Sequence, residues 1–206
     1  MYNIQLVSIV IPTGNEAVKI DQLAKEIINV MGSTIYKYEI IIAHYGNNEQ
    51  DREIIYQLSD RYFCIKGLNL ENKYDKTTAL NAGFVFAKGD VIVAMDGDMH
   101  HDPAYMPVFL AYIERGYDVV CGLRKQPEHK LKSIVIDLTQ KIIFLFAGVT
   151  VKYLGTTYRA YRRYLPGNAE RLRDTRDFLN TLITNKDTRI MDVPITFRTH
   201  YAAFVG

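Results

Sequence analysis

The chain has 206 residues, 48% of them hydrophobic, which suits one α/β domain, or a domain with a small appendage, and excludes a disordered chain. Its formal net charge of +2 hides an uneven distribution: Arg124 to Arg176 holds twelve Lys/Arg against four Asp/Glu, leaving thirteen against nineteen elsewhere. Such a basic stretch is either a solvated face or a surface for an anionic partner, and the lack of a zinc pattern or an aromatic-basic RNA motif argues against nucleic acid.

The elements alternate along the chain. Leu6 to Pro12 reads as a strand, and Asn15-Glu16 opens a helix to about Met31 with Ile20, Leu23, Ala24, Ile27 and Ile28 as its apolar stripe. Tyr38 to Ala43 is a second strand, followed by a helix from about Gln50 to Leu58 and a short third strand, Tyr62 to Ile65. Thr77 to Ala87 predicts a helix with Ala79, Leu80, Gly83 and Phe84 inward, ended by Gly89. Val91 to Met95 is a strand apolar enough to be buried on both faces, a helix follows from about Pro103 to Arg115, and Tyr117 to Gly122 is the next strand. Strand–helix alternation of this kind predicts a parallel sheet covered on both faces. Cys64 and Cys121 lie in apolar strand-like runs, so buried free thiols are expected rather than a disulfide.

Past Gly122 the pattern changes. Lys130 to Val149 reads as one helix with Ile134, Leu138, Ile142, Leu145 and Val149 on one face; it is either an ordinary core-packing helix or an interfacial helix touching lipid. Val151 to Arg163 (VKYLGTTYRAYRR) precedes a polar, Arg-rich helix to about Asn185, and Arg189 to Phe197 is a last strand. The longest late apolar run, Ile142 to Ala147, is too short to span a bilayer. Met1 to Leu6 lacks the basic start and apolar core of a signal peptide, so the cytoplasm is the expected location.

The strand Val91 to Met95 ends in Asp96-Gly97-Asp98, where open α/β sheets place their ligands. Two carboxylates separated by a glycine can turn toward one hard cation that bridges to phosphate oxygens. The alternative for an isolated Asp-Gly-Asp is a solvated turn at a strand end.

These segments, in order, resemble family 2 glycosyltransferases, with the polyprenyl-phosphate (dolichyl-phosphate) sugar transferases as the nearest branch. SIVIPTGNE (Ser8 to Glu16) is similar to the opening strand and nucleotide-binding turn of that family. KTTALNAGFVFAKGDVIVAMDGDMHHDP (Lys76 to Pro103) resembles its central signature, and GYDVVCGLR (Gly116 to Arg124) the strand before the acceptor loop. YRAYRR (Tyr158 to Arg163) and VPITFR (Val193 to Arg198) are similar to late motifs of the polyprenyl-phosphate branch. The resemblance implies an α/β GT-A fold: a Rossmann-like, mostly parallel central sheet with helices on both faces. It also implies one domain over residues 1–206, with 1–123 as the nucleotide-sugar-binding part and 124–206 as the acceptor-side part.

The implied chemistry is transfer of a sugar from a nucleoside diphosphate to a polyprenyl phosphate or another glycan acceptor, with peripheral contact at the inner face of the membrane. Pro12, Thr13, Asn15, Glu16, His44, Tyr45, Lys76, Asn81, Asp96 and Gly97 would hold the nucleotide sugar. Asp96, Asp98 and His100 would ligate a divalent cation, and imidazole suits Mn²⁺ better than Mg²⁺. Asp98, Arg124 and Arg159 would serve catalysis; Arg124, Arg159 and Arg198 would bind acceptor phosphate, for which guanidinium forks are fitted. His100 is equally readable as a turn residue in water, His101 more so, and Arg162 and Arg163 as solvated helix charges. Asp102 before Pro103 is placed to cap the next helix.

Four departures from the family pattern stand out. His44 and Tyr45 occupy the place of an acidic pair after the second strand, and Gly14 replaces a common aromatic. Tyr153 and GTTY replace an acidic residue and a small Ser-Gly pair, and THYAAFVG replaces a basic tail. Two other readings therefore stand beside the first: a family 2 transferase with a soluble or glycan acceptor, and a catalytically silent nucleotide-binding domain.

Overall fold

Three runs of apolar residues make the centre of the sheet, because strands buried on both faces must be apolar at every position rather than every second one. They are β1 (Leu6–Thr13), β2 (Lys37–His44) and β4 (Val91–Ala94), and β1 pairs in parallel with both of the others. The computed structural model describes residues 2–14, 17–70, 75–124, 157–163 and 188–198, with main chain only at 17, 18 and 124. The remaining strands described are β3 (Ile65–Asn69), β5 (Val119–Arg124), β6 (Arg159–Arg162) and β7 (Ile190–Ile195). Together they form one sheet ordered β3-β2-β1-β4-β6-β5-β7.

Two layers of helix cover it. On one face Ile9, Ile11, Ile40, Ile42 and Val93 pack with α1 (Ala17–Gly32), α2 (Glu49–Arg61) and α4 (Met106–Glu114). The stripe expected on α1 is buried at Ile20, Leu23, Ala24 and Ile27 and partly buried at Ile28. On the other face Val10, Ile41, Ile92 and Ala94 meet Leu80, Phe84 and Ala87 of the α3 region (helix Lys76–Phe86). This contact is close: a Cβ added at Gly83 would overlap the Val10 side chain, so only glycine lets α3 lie this near β1.

The structure corrects several expectations. The third strand begins at Ile65, not Tyr62, because the Tyr62 amide donates to Leu58 O and closes α2. The sheet is mostly parallel, as the resemblance implies; the exception is β6, within the YRAYRR stretch, which runs antiparallel to both β4 and β5. The helix from Pro103 starts as a 3-10 turn (Pro103–Tyr105), capped by Asp102, whose carboxylate accepts from the Ala104 amide at 2.9 Å. Arg162 is a strand residue, not a solvated helix charge. It meets Asp118 at 3.3 Å, donates to Ile113 O at 3.1 Å, and lies 4.3 Å from the Tyr2 ring centre. Arg163 likewise donates from its main chain to Asp90 O and from its guanidinium to Ala87 O. Both cysteines are free, Cys121 buried and Cys64 half-buried. The helix expected over Lys130 to Val149, the stretch 151–156 and the Arg-rich helix to Asn185 lie outside the described residues.

The amino edge of the sheet carries a buried carboxylate. Glu39, 4% exposed, accepts from Ser8 Oγ at 2.6 Å and from the Lys88 amide at 2.7 Å, and pairs with Lys66 Nζ at 2.5 Å. Ser8 Oγ in turn accepts from the Gly89 amide, so β1, β2, β3 and the α3–β4 turn share one network. Burial pushes the Glu39 carboxyl upward, but Lys66, Ser8 and the Lys88 amide outweigh it and the net shift is down. A carboxyl depressed in the folded state stabilises above its unfolded pKa, and that stability is lost as pH falls through the folded value. Glu39→Gln should therefore lower unfolding free energy by about 2–3 kcal/mol at pH 7, the scale of a broken buried pair. Denaturant melts of both proteins should converge as pH falls below the ordinary value of 4.5. A gap that stays constant to pH 3 would show that the network contributes nothing through charge.

Candidate active site at the carboxyl edge of the sheet

The chain builds outward from β1 to β2 and β3, then returns through α3 to enter β4 on the other side of β1. A reversal of this kind opens a crevice beyond the carboxyl ends of the strands, where open α/β sheets bind ligands. Thr13 ends β1, His44 ends β2, and Asp96 follows β4 by two residues, so the topology brings these three to one edge. Pro12 is buried one position before Thr13.

Asp96 is held from two sides. Lys76, the first residue of α3, places Nζ 2.6 Å from Oδ1, and Thr157 donates its hydroxyl to Oδ2 at 3.1 Å. Lys76 is positioned by the cap of its helix: Asp75 accepts from the Thr78 amide at 2.8 Å. The α3 amino terminus therefore brings a lysine and the positive end of the helix dipole to this edge, an arrangement suited to phosphate. Asn81 lies further along α3 and is half-buried. Arg159 pairs across β6 with Ala94, on the α3 side of the sheet, and is 3% exposed. Its guanidinium bonds the Tyr161 hydroxyl; burial raises that phenol to about 12, with Arg159 pulling the other way.

Gly97 is buried and the turn then exposes its polar groups. Asp98 Oδ1 accepts from the His100 amide at 3.0 Å, and Met99 between them is left-handed, with φ 67°, although fully buried. A non-glycine residue held there is strained and persists only where its surroundings fix it. The second Asp98 oxygen lies 4.0 Å from His100 Nε2, on a ring whose side chain is 56% exposed. Among the described residues no three His, Cys, Asp or Glu side chains converge to hold a metal ion. The reason is local: the Asp96 carboxylate is turned to Lys76 and Thr157, leaving Asp98 and His100 as the open pair.

The end of β2 is different in kind. Thr13 and His44 are paired neighbours on the α1–α2 face, opposite to the face of Asp96 and Arg159. His44 is 1% exposed, and among the described residues neither of its ring nitrogens, nor Thr13 Oγ1, has a hydrogen-bond partner. Burial lowers the pKa of His44; Asp51 opposes this and Arg52 adds to it, so the ring is neutral at physiological pH. A cluster of buried, unpartnered polar atoms is uncommon in a folded protein. Tyr45 lies beside Gly14: a Cβ there would sit 3.3 Å from the Tyr45 ring. The Tyr45 ring therefore takes up the space beside position 14.

Asn15 and Glu16 lie outside the described residues, and Arg124 is described only by its main chain, at the end of β5 beside Ile195. Arg198 is brought to the turn after Asp98, where Glu26 at 2.7 Å and Asp102 at 3.0 Å engage its guanidinium. Three neighbours of this edge have no distinct sequence signal. Thr157 is distinguished only by the return of β6 beside β4, which sets its hydroxyl against Asp96. His101, expected in water, is 4% exposed and packed between Tyr158, tilted to it, and Phe197, edge-on to it, with ring centres at 5.2 and 4.9 Å. Its pKa is lowered by burial, against the pull of Asp96 and Asp98. Glu26 looked like any exposed charge on an amphipathic helix.

The sequence model described as Glycosyl transferase family 2 matches residues 8–168. The chain is 30% identical over 165 residues to an undecaprenyl-phosphate 4-deoxy-4-formamido-L-arabinose transferase of Shewanella sediminis (strain HAW-EB3), covering 79% of this chain and 50% of that one. It is 26% identical over 194 residues to the transferase of the same name from Edwardsiella ictaluri (strain 93-146), covering 93% and 60%. The chain thus spans half to three-fifths of the length of these curated relatives. Among solved structures, glucosyl-3-phosphoglycerate synthase from Mycobacterium tuberculosis with Mn²⁺, UDP and glucosyl-3-phosphoglycerate aligns with a TM-score of 0.61 at 14% identity, over 95% of this chain and 73% of that one. A mannosyltransferase from Pyrobaculum calidifontis with GDP-Man and Mn²⁺ aligns at 0.62 and 14% identity, over 94% and 55%. With the sheet order and the edge described above, these matches establish that the chain belongs to glycosyl transferase family 2 and has the GT-A fold.

Proposed function

We propose that this chain transfers a sugar from a nucleoside-diphosphate donor to a polyprenyl phosphate, with a divalent cation held by Asp98 and His100. The observation that carries the reading is the convergence at one sheet edge of an open carboxylate–imidazole pair with a lysine-bearing helix amino terminus. The names of the relatives, undecaprenyl-phosphate sugar transferases, support the acceptor class.

The residues present fit a cation. Asp98 Oδ2 and His100 Nε2 stand 4.0 Å apart on one turn open to solvent and would hold it. One or two protein ligands are enough where phosphate oxygens and water complete the shell. Once bound, the cation would supply charge stabilisation for the departing diphosphate. Lys76 and the α3 amides would hold the same phosphates, and Asp96 would orient Lys76 through their 2.6 Å contact. A phosphate acceptor is already ionised, so no strong base is required of the protein. Arg159, with Arg124, would meet that acceptor phosphate, and the basic stretch from Arg124 to Arg176 would favour an anionic lipid surface. Thr13, His44 and Tyr45 would form the base pocket.

The replacement of an acidic pair by His44 and Tyr45 favours a second reading, a domain that binds nucleotide without transferring sugar. A screen of UDP-, GDP- and dTDP-sugars with polyprenyl phosphate separates the two, since turnover appears only under the first.

Asp98→Asn tests the cation site. The amide keeps the oxygen that accepts from the His100 amide, so the turn should survive. The lost charge should lower transfer at least about a hundredfold, and Mn²⁺ should no longer tighten nucleotide binding in the variant. Full activity in Asp98→Asn would remove the cation from the reaction. In the base pocket, His44→Ala should weaken nucleotide binding by about 1–2 kcal/mol, read by calorimetry on folded protein. Unchanged affinity would place the base elsewhere.

A further inference from the structure

Arg198 is bound to the turn after Asp98 through both its main chain and its side chain. Its amide donates to His100 O at 3.0 Å, and its own carbonyl lies 3.2 Å from His100 Nδ1. A carbonyl only accepts, so Nδ1 is the ring nitrogen that carries the hydrogen. In the neutral ring Nε2 is then a bare lone pair, and it faces a carboxylate oxygen of Asp98 at 4.0 Å. The two atoms form a pair of acceptors on one turn, open to a shared cation.

We propose that Arg198 is a positioning residue that fixes the tautomer and direction of His100, and through it the cation-binding pair. The guanidinium is the anchor. Nη1 meets Glu26 on α1 at 2.7 Å, and Nη2 meets Asp102 at 3.0 Å, on the same Oδ1 that caps the 3-10 turn. Both arms are engaged with carboxylates, which holds the exit of β7 against α1 and against the turn. The left-handed Met99 lies inside the stretch so pinned, and this latch is one of the constraints that can keep it there. Partners of this kind, set behind a ligating histidine, commonly change metal affinity by about 10–100-fold when removed. The part of the inference that concerns the cation rests on the proposed function; the tautomer does not.

The test uses the whole chain, Arg198→Met, Arg198→Lys and Asp102→Asn. Nitrogen NMR of ¹⁵N-histidine-labelled protein at pH 8 without metal, with His100 assigned by His100→Gln, should show the Nδ1–H form in the wild type. Arg198→Met should move it toward the mixture of an unrestrained ring, with Arg198→Lys intermediate. Mn²⁺ affinity in the presence of UDP, read by electron paramagnetic resonance, should weaken about tenfold or more in Arg198→Met. If Arg198→Met does not fold, Asp102→Asn, which loosens one arm, should show the same changes at smaller size. A wild-type His100 in the Nε2–H form overturns the proposal. So does an Arg198→Met protein with unchanged tautomer and Mn²⁺ affinity but a raised KM for the polyprenyl phosphate, which would make Arg198 an acceptor ligand. If the wild type binds no Mn²⁺, the proposed function fails while the tautomer result still stands or falls alone.

Discussion

The carboxylate of Asp96 is where three distant segments meet. Lys76 comes from the first turn of α3, Thr157 from the approach to β6, and Asp96 itself from the end of β4. A carboxylate with 15% exposure needs such partners, because a charge withdrawn from water is costly unless it is paired and hydrogen-bonded. Meeting that need fixes the α3 amino terminus against the strand end and brings the returning β6 into the sheet. It also leaves Asp98, two residues on, free to face outward with His100. The division of work between the two aspartates follows from which one the fold must satisfy.

Charge is distributed between the two edges of the sheet in a related way. At the amino edge Glu39 is satisfied by Lys66, Ser8 and a main-chain amide, and that network serves stability. At the carboxyl edge several polar atoms are left without partners among the described residues: both nitrogens of His44, both of His101 and the hydroxyl of Thr13. Folding selects against such atoms unless something else is gained, and Thr13 and His44 are neighbours at the end of β1 and β2, beside a crevice formed by a reversal of strand order. Gly83 links the two ends, since the close approach of α3 to β1 sets where Lys76 stands.

Much of this was legible in the sequence. Central strands declared themselves as unbroken apolar runs, and the helices α1 and α3 by spacing and by their inward residues. Asp96-Gly97-Asp98 at the end of such a run pointed to the carboxyl edge. What could not be read was what depends on pairing between distant segments. The strand within YRAYRR pairs with β4 at Arg159 opposite Ala94 and Arg162 opposite Val91, partners 65 and 71 residues earlier that no local pattern announces. Without that pairing Thr157 is an ordinary loop residue. His101 follows His100 directly, yet one ring is buried between Tyr158 and Phe197 and the other is exposed, a choice made by a turn with one left-handed residue. The pairing of Arg198 with Glu26, 172 residues earlier, likewise has no local trace in the sequence.

The central claim is that the carboxyl edge binds a divalent cation and a nucleoside diphosphate together. Mn²⁺ titrations followed by electron paramagnetic resonance, with protein alone, UDP or GDP alone, and both, test it directly. The account predicts that protein and nucleotide together remove free Mn²⁺ at one ion per chain, with affinity at least about tenfold above either alone, a coupling of the usual allosteric size. A mixture that binds no more Mn²⁺ than its separate components would contradict it.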